Sequence, residues 1–118
     1  MPQITVDYST PLAGTFDRQG FAVALHAMVV ETAAAKPEAC KSRFRAVDDV
    51  VVGAEGTGHA LVHVSLALLP GRSDEVKSAL TSRALELVRA HVKPVEGLVL
   101  HASAEVRDLE ASYQKFVD

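Results

Sequence analysis

The stretch His59-Ala60-Leu61-Val62-His63-Val64-Ser65-Leu66-Ala67-Leu68-Leu69 runs directly into Pro70-Gly71-Arg72-Ser73-Asp74-Glu75. Leu, Val and Ala dominate it, and Val64, Leu66 and Leu68 share one face of an extended chain, so it reads as a well-buried strand. Pro70 and Gly71 predict a turn. Ser73 is placed to cap a helix, with Asp74 and Glu75 adding negative charge at the positive end of its dipole. Val76, Leu80, Leu87 and Val88 then form the apolar stripe of a long helix that ends between His91 and Pro94. Leu98 to Val106 reads as a further strand, and Leu109 to Asp118 as a short tail. The order is strand, helix, strand.

Working outward, the first half of the chain repeats that order. Ile4, Val6 and Tyr8 alternate with Gln3, Thr5 and Asp7, which predicts a strand ended by Ser9-Thr10-Pro11. From Phe16 to about Ala35, the residues Phe21, Leu25, Met28, Val29 and Thr32 (or Ala33) recur at helical spacing. Thr15 is the expected N-cap, Asp17 falls in the first turn, and Pro37 closes the helix. Alternation from Lys41 to Val52 predicts another strand. Gly53, Gly56 and Gly58 after it read as a turn, because neither a GK[ST] pattern nor a helix follows to make a phosphate loop. Two βαβ halves, about 1–57 and 58–118, are expected to form one domain over 1–118. Right-handed crossovers then give an α/β fold, a four-stranded sheet with two helices on one face. Leu61, Val62, Val64, Val99 and Leu100 are expected to need cover on both faces, so the open side of the sheet should pack against other copies in an oligomer.

Composition narrows the function classes. With 118 residues, 48% of them hydrophobic and 23% charged, the chain can bury one core and is not of the disordered type. Twelve Lys and Arg against fifteen Asp and Glu leave a net charge of −3, with no general attraction for a phosphate backbone, so no nucleic-acid partner is expected. One cysteine, Cys40, excludes an internal disulfide framework and a thiolate zinc site. The apolar stretch from Gly20 to Val30 is interrupted by His26 and is too short to cross a bilayer, so no membrane partner is expected. The first residues have neither the basic region nor the apolar core of a signal peptide, and a cytoplasmic location is expected.

Three groups of residues could carry chemistry. Pro2 follows the initiator methionine. If Met1 is removed, Pro2 presents a secondary amine that titrates near neutrality and can act as a general base; otherwise it simply opens a strand without losing a ladder donor. Lys41, Arg43 and Arg45 point to one face of their strand, either as a solvated edge or towards an anion. Arg72, in the turn before a helix, is a further carboxylate-binding candidate or a plain turn cation. His59 and His63 share a strand face and His101 lies on the last strand. A metal site would need a third convergent ligand, so no metal is expected and edge hydrogen bonding is the simpler role. Cys40 has no evident base partner and reads as a bystander thiol.

Met1-Pro2 opening a strand, the Lys41-Ser42-Arg43 strand running to Val47-Asp48, and Leu61-Val62-His63-Val64-Ser65-Leu66 leading into Gly71-Arg72-Ser73 resemble the 5-carboxymethyl-2-hydroxymuconate isomerase family of the tautomerase superfamily. That superfamily also holds 4-oxalocrotonate tautomerase and macrophage migration inhibitory factor. The likeness covers essentially the whole chain. It implies the tautomerase fold, a homotrimer, no metal and no organic cofactor. It also implies an amino-terminal proline base that moves a proton in an unsaturated 2-hydroxy or 2-oxo acid. The implied substrate is a small dicarboxylate or tricarboxylate from homoprotocatechuate ring cleavage, taken from dienol to enone. Pro2 matches the catalytic proline and Arg72 an arginine that the family uses on substrate carboxylate. Lys41 falls on the first arginine of the family's Arg-Ser-Arg segment and Arg43 on the second. Lysine keeps the charge there and loses the bidentate fork. The residues themselves leave open a non-catalytic carboxylate-binding protein of the same fold, and a ferredoxin-like βαβ domain for oligomerisation or ligand sensing.

Overall fold

The alternation at the start of the chain folds as a strand, β1 (Gln3–Ser9), with Ile4, Val6 and Tyr8 buried and Gln3, Thr5 and Asp7 on the opposite face. In the computed structural model, which describes residues 2–118, it is followed by α1 (Arg18–Ala33), β2 (Lys41–Val47), β3 (His59–Leu68), α2 (Asp74–His91) and β4 (Val99–Asp108). The strands lie in the order β2-β1-β3-β4. β1 runs parallel to β2, and β3 runs parallel to β4, each pair joined by its helix. The two βαβ units meet through an antiparallel β1–β3 contact, so the sheet is mixed.

The helices pack on one another over the sheet face that carries Ile4, Val6, Val62, Val64 and Leu66. Phe21, Leu25 and Val29 of α1 and Leu80, Ala84 and Val88 of α2 close that core. Phe16 sits edge-on to Tyr8, Phe21 and Phe44, with ring centroids 5.8, 5.5 and 5.9 Å away. Each such pair contributes about 0.5–1.5 kcal/mol beyond its area burial. Ser73 caps α2 as the sequence predicts, its hydroxyl accepting from the Val76 amide at 3.2 Å.

Three expectations are corrected. The N-cap of α1 is Asp17 and not Thr15: the Asp17 carboxylate accepts from the Gly20 amide at 3.0 Å, while the Thr15 hydroxyl donates back to Leu12. The cause is tertiary. The Thr15 carbonyl accepts from Lys93 and the Asp17 amide donates to His91, so this segment is tied to the end of α2 and stays extended. A Cβ on Gly20 would lie 2.2 Å from an Asp17 carboxylate oxygen, so a larger residue there would oblige the Asp17 side chain to shift.

The second strand ends at Val47, where its partner β1 ends at Ser9, and Val52 makes only an isolated bridge to Glu55. The open face is also polar where an apolar one was expected. Val62 and Val64 are fully buried on the helix side, and period-two alternation leaves His59, Leu61, His63 and Ser65 for the other face. Leu61 (36% exposed), Val99 (56%) and half-buried Val47 are large apolar side chains on it, while Leu100 pairs with buried Ala60 on the helix side.

His26 projects from α1 to the Ser42 hydroxyl of β2, 2.6 Å from its Nε2, and burial lowers its pKa from the ordinary 6.5. Above that value the ring is neutral in both folded and unfolded chains. As pH falls below about 6.5 the unfolded ring takes a proton that the folded ring resists, so stability falls with acidification. Urea denaturation at about pH 7.5 and 5.5 should show that loss, and His26→Gln should reduce it.

Candidate active site

The sheet topology decides which ends meet. The parallel register pairs Gln3 with Lys41, and the antiparallel register pairs Gln3 with Ala67. The beginning of β1, the beginning of β2 and the end of β3 therefore lie together. Pro2 stands at that end, buried, and its carbonyl accepts from the Lys41 amide at 3.2 Å. Strand alternation sets Pro2 on the face of Ile4, against the helices, and Lys41 on the face of Gln3.

Arg72 comes to the same end in the turn after β3, half-buried. Its Nε and Nη2 donate to the Ala33 carbonyl at 3.3 and 3.0 Å, and its Nη1 donates to Leu69 at 3.1 Å. A guanidinium on the last carbonyls of a helix also suits the negative end of the helix dipole. Arg72 thus pins the end of α1 to the turn beyond β3. Lys41 Nζ donates to the Ala39 carbonyl at 3.1 Å. Arg43 donates to the Gln3 side-chain carbonyl.

Arg45, third in the cationic row, is held by Asp7 in a two-pronged contact at 2.7 and 3.1 Å, and so is spent within the sheet. The structure therefore brings Pro2, Lys41, Arg43 and Arg72 to one end of the sheet and leaves Arg45 further along, neutralised. The expected loss of Met1 lies outside the described residues.

The remaining candidates take structural partners. Burial pushes the Cys40 thiol up from its ordinary 9.0, which disfavours the thiolate, and its sulfur lies 3.6 Å from the Lys36 carbonyl. On the open face His59 contacts Glu55 at 2.9 Å and His101 at 3.0 Å. His63 contacts Ser103 at 2.6 Å. Among the described residues no group of three His, Cys, Asp or Glu side chains is arranged to hold a metal.

Two features escaped the sequence reading. Gln3 links Arg43 to the tail, since its side-chain amide donates to the Tyr113 hydroxyl at 3.0 Å. The tail itself returns to this end of the sheet, with the Leu109 amide donating to Leu68 at 2.7 Å. Neither contact has a periodic signature, because the tail has no regular structure. A separate recess of about 620 Å³ lies at the other end of the molecule, between the end of α2 and the start of β4, with Leu85, Val88, Val95 and Leu98 in its wall.

The arrangement sets buried Pro2 and several cations at one end of the sheet, with Lys41 and Arg43 on the face opposite to Pro2. No helix among the described residues is long and apolar enough to cross a membrane. No curated protein matches the sequence. Among solved structures the chain is similar to a 5-carboxymethyl-2-hydroxymuconate isomerase from Deinococcus radiodurans R1, at 17% identity and TM-score 0.79, covering 97% of this chain and 88% of that one. It is similar to a fused 4-OT wild-type symmetric trimer at 20% identity and TM-score 0.80, covering 98% and 92%. It is also similar to macrophage migration inhibitory factor from Oncomelania hupensis at 16% identity and TM-score 0.71, covering 98% and 79%. At these identities the likeness is one of fold, and the fold is the tautomerase fold. The family model for 5-carboxymethyl-2-hydroxymuconate isomerase matches residues 2–115 of the 118, and the chain belongs to that family.

Proposed function

We infer that this tautomerase-type isomerase uses the amine of Pro2, freed by loss of Met1, to move a proton in an unsaturated 2-hydroxy acid such as 5-carboxymethyl-2-hydroxymuconate. The observation that carries the reading is the convergence at one sheet end of buried Pro2 with Lys41, Arg43 and Arg72. In the reaction the 2-hydroxyl of a dienol loses its proton and a carbon of the conjugated chain gains one, giving the enone. Electron pairs shift within the conjugated system, with no oxidation and no heavy-atom bond broken, so acid–base groups suffice. An amino-terminal amine titrates near 8 when unperturbed, and neighbouring cations lower it towards neutrality, where it can both accept and return a proton. Lys41 with Arg43 and Arg72 would hold the carboxylates and offset the negative charge that builds on the enolate-like transition state.

The setting that fits this chemistry is a cytoplasmic homotrimer of single-domain chains, acting on an acidic product of homoprotocatechuate ring cleavage. The trimer is supported by the trimeric neighbour of the same fold and by the unpaired outer edges of β2 and β4. A polar open face is compatible with a wet, multi-chain centre. A non-catalytic carboxylate-binding protein of the same fold is the reading that stands if turnover is absent.

Light scattering at micromolar concentration should give about three times the mass of one chain, and a clean monomer would overturn the trimer. Retaining Met1, checked by mass spectrometry, or replacing Pro2 by Ala should lower kcat by about 10²–10⁴-fold with the fold intact. An unchanged rate would remove Pro2 from the mechanism. Lys41→Arg should improve turnover of a muconate-type dienol by about tenfold, as a planar fork replaces a point charge on the carboxylate. Arg72→Ala should cost both activity and thermal stability, because the Ala33 carbonyl loses its donors along with the substrate.

A further inference from the structure

The segment between α2 and β4 borders the recess of about 620 Å³ that lies away from Pro2. Its floor has a cause in the sequence. The helix-side positions of β3 begin with Ala60, Val62 and Val64, and the β4 residues beside the first two are Leu100 and Ala102. Alanine at 60 and at 102 is shorter than the valines next to it, which leaves a gap beneath Leu85 and Val88 of α2. β4 is an outer strand, so the gap lies at the edge of the sheet.

The lining is graded from dry to wet. Val88 is buried, Leu85, Val95 and Leu98 are half-buried, and Arg89 and Lys93 are exposed. Among the described residues the lining holds no Asp or Glu, and its ionisable side chains are Arg89, Lys93 and His101, in a chain whose net charge is −3. His101 is engaged through Nε2 with His59. Neither Arg89 nor Lys93 belongs to any of the salt bridges among the described residues. An apolar interior with uncommitted cations at its mouth matches an amphipathic anion, whose body leaves water while its charge stays at the rim. The volume falls within the range of about 300–1,000 Å³ usual for small-molecule sites.

We propose that this recess binds a medium-chain monocarboxylate, with the apolar chain among Leu85, Leu98 and Leu100 and the carboxylate on Arg89 and Lys93. The Arg89 guanidinium can offer two parallel N–H donors to a carboxylate, and Lys93 adds charge. A diacid is disfavoured, because its second charge would have to enter the apolar interior without a partner. The site is separate from the Pro2 end of the sheet and stands or falls independently of the isomerase reading.

Octanoate is the probe, titrated into the full chain by calorimetry. It should bind saturably, and butyrate, shorter by four methylenes, should bind at least about tenfold more weakly. Arg89→Ala combined with Lys93→Ala should weaken octanoate at least about fivefold and leave the affinity for uncharged octan-1-ol unchanged. Ala102→Leu fills the floor at an exposed position and should abolish octanoate binding, with circular dichroism and oligomeric mass as in the parent. In the parent, the amide resonances of Leu98 and Ala102 should shift on titration while those of Gln3 and Lys41 stay in place. Absence of saturable binding, an octanoate affinity indifferent to both variants, or shifts confined to Gln3 and Lys41 would each overturn the proposal. So would a change of oligomeric mass in Ala102→Leu, which would make the recess an interface between copies of the chain.

Discussion

The antiparallel pairing of β1 with β3 is the contact on which the rest of the molecule depends. Each βαβ unit has only two strands and one helix, too little to bury an apolar face by itself. Joining them through Gln3–Ala67 and its neighbours lays Ile4, Val6, Val62, Val64 and Leu66 side by side under both helices. Every one of those five is fully buried. At about 25 cal/mol per Å² of apolar surface, such residues dominate the favourable side of folding, and no comparable gain exists on the opposite face. The joint also reverses direction between the halves. That reversal is what places the end of one unit next to the beginning of the other.

The two faces of the sheet are unlike because the strands alternate. The helix side is dry and apolar. The open side carries Gln3, Thr5, Asp7, Arg43, Arg45, His59 and His63, held in cross-strand contacts such as Arg45–Asp7 and His63–Ser103. These exposed pairs add little stability, since solvent competes for each partner. They do satisfy the polar groups in place, and no buried side-chain nitrogen or oxygen among the described residues lacks a partner.

Arg72 joins structure to function in a single side chain. It closes the end of α1 through Ala33 and ties that end to the turn after β3, while keeping two donors uncommitted. A group fixed in this way is already ordered before an anion arrives, so less conformational entropy is lost on binding. Lys41 carries a compact, more strongly hydrated charge on a flexible stem, and adds charge where Arg72 adds geometry.

By itself the sequence determined the elements and their order: alternation in Gln3–Tyr8 and His59–Leu68, the apolar stripes around Phe21 and Leu80, and the Ser73 cap are local signals, readable from spacing. It also carried Pro2, Lys41, Arg43 and Arg72 as candidates, since unusual residue types stand out in a strand or a turn. Tertiary structure decided what depends on distant partners. The start of α1 moved to Asp17 because Lys93 and His91 hold the preceding residues, and β2 stopped at Val47 because β1 ends beside it. The open face proved polar because only the fold says which face of β3 the helices cover. The tail at Gln3 was invisible for the same reason. A hydroxyl in an aperiodic segment has no pattern in sequence, and its meaning comes only from the groups that the fold sets beside it.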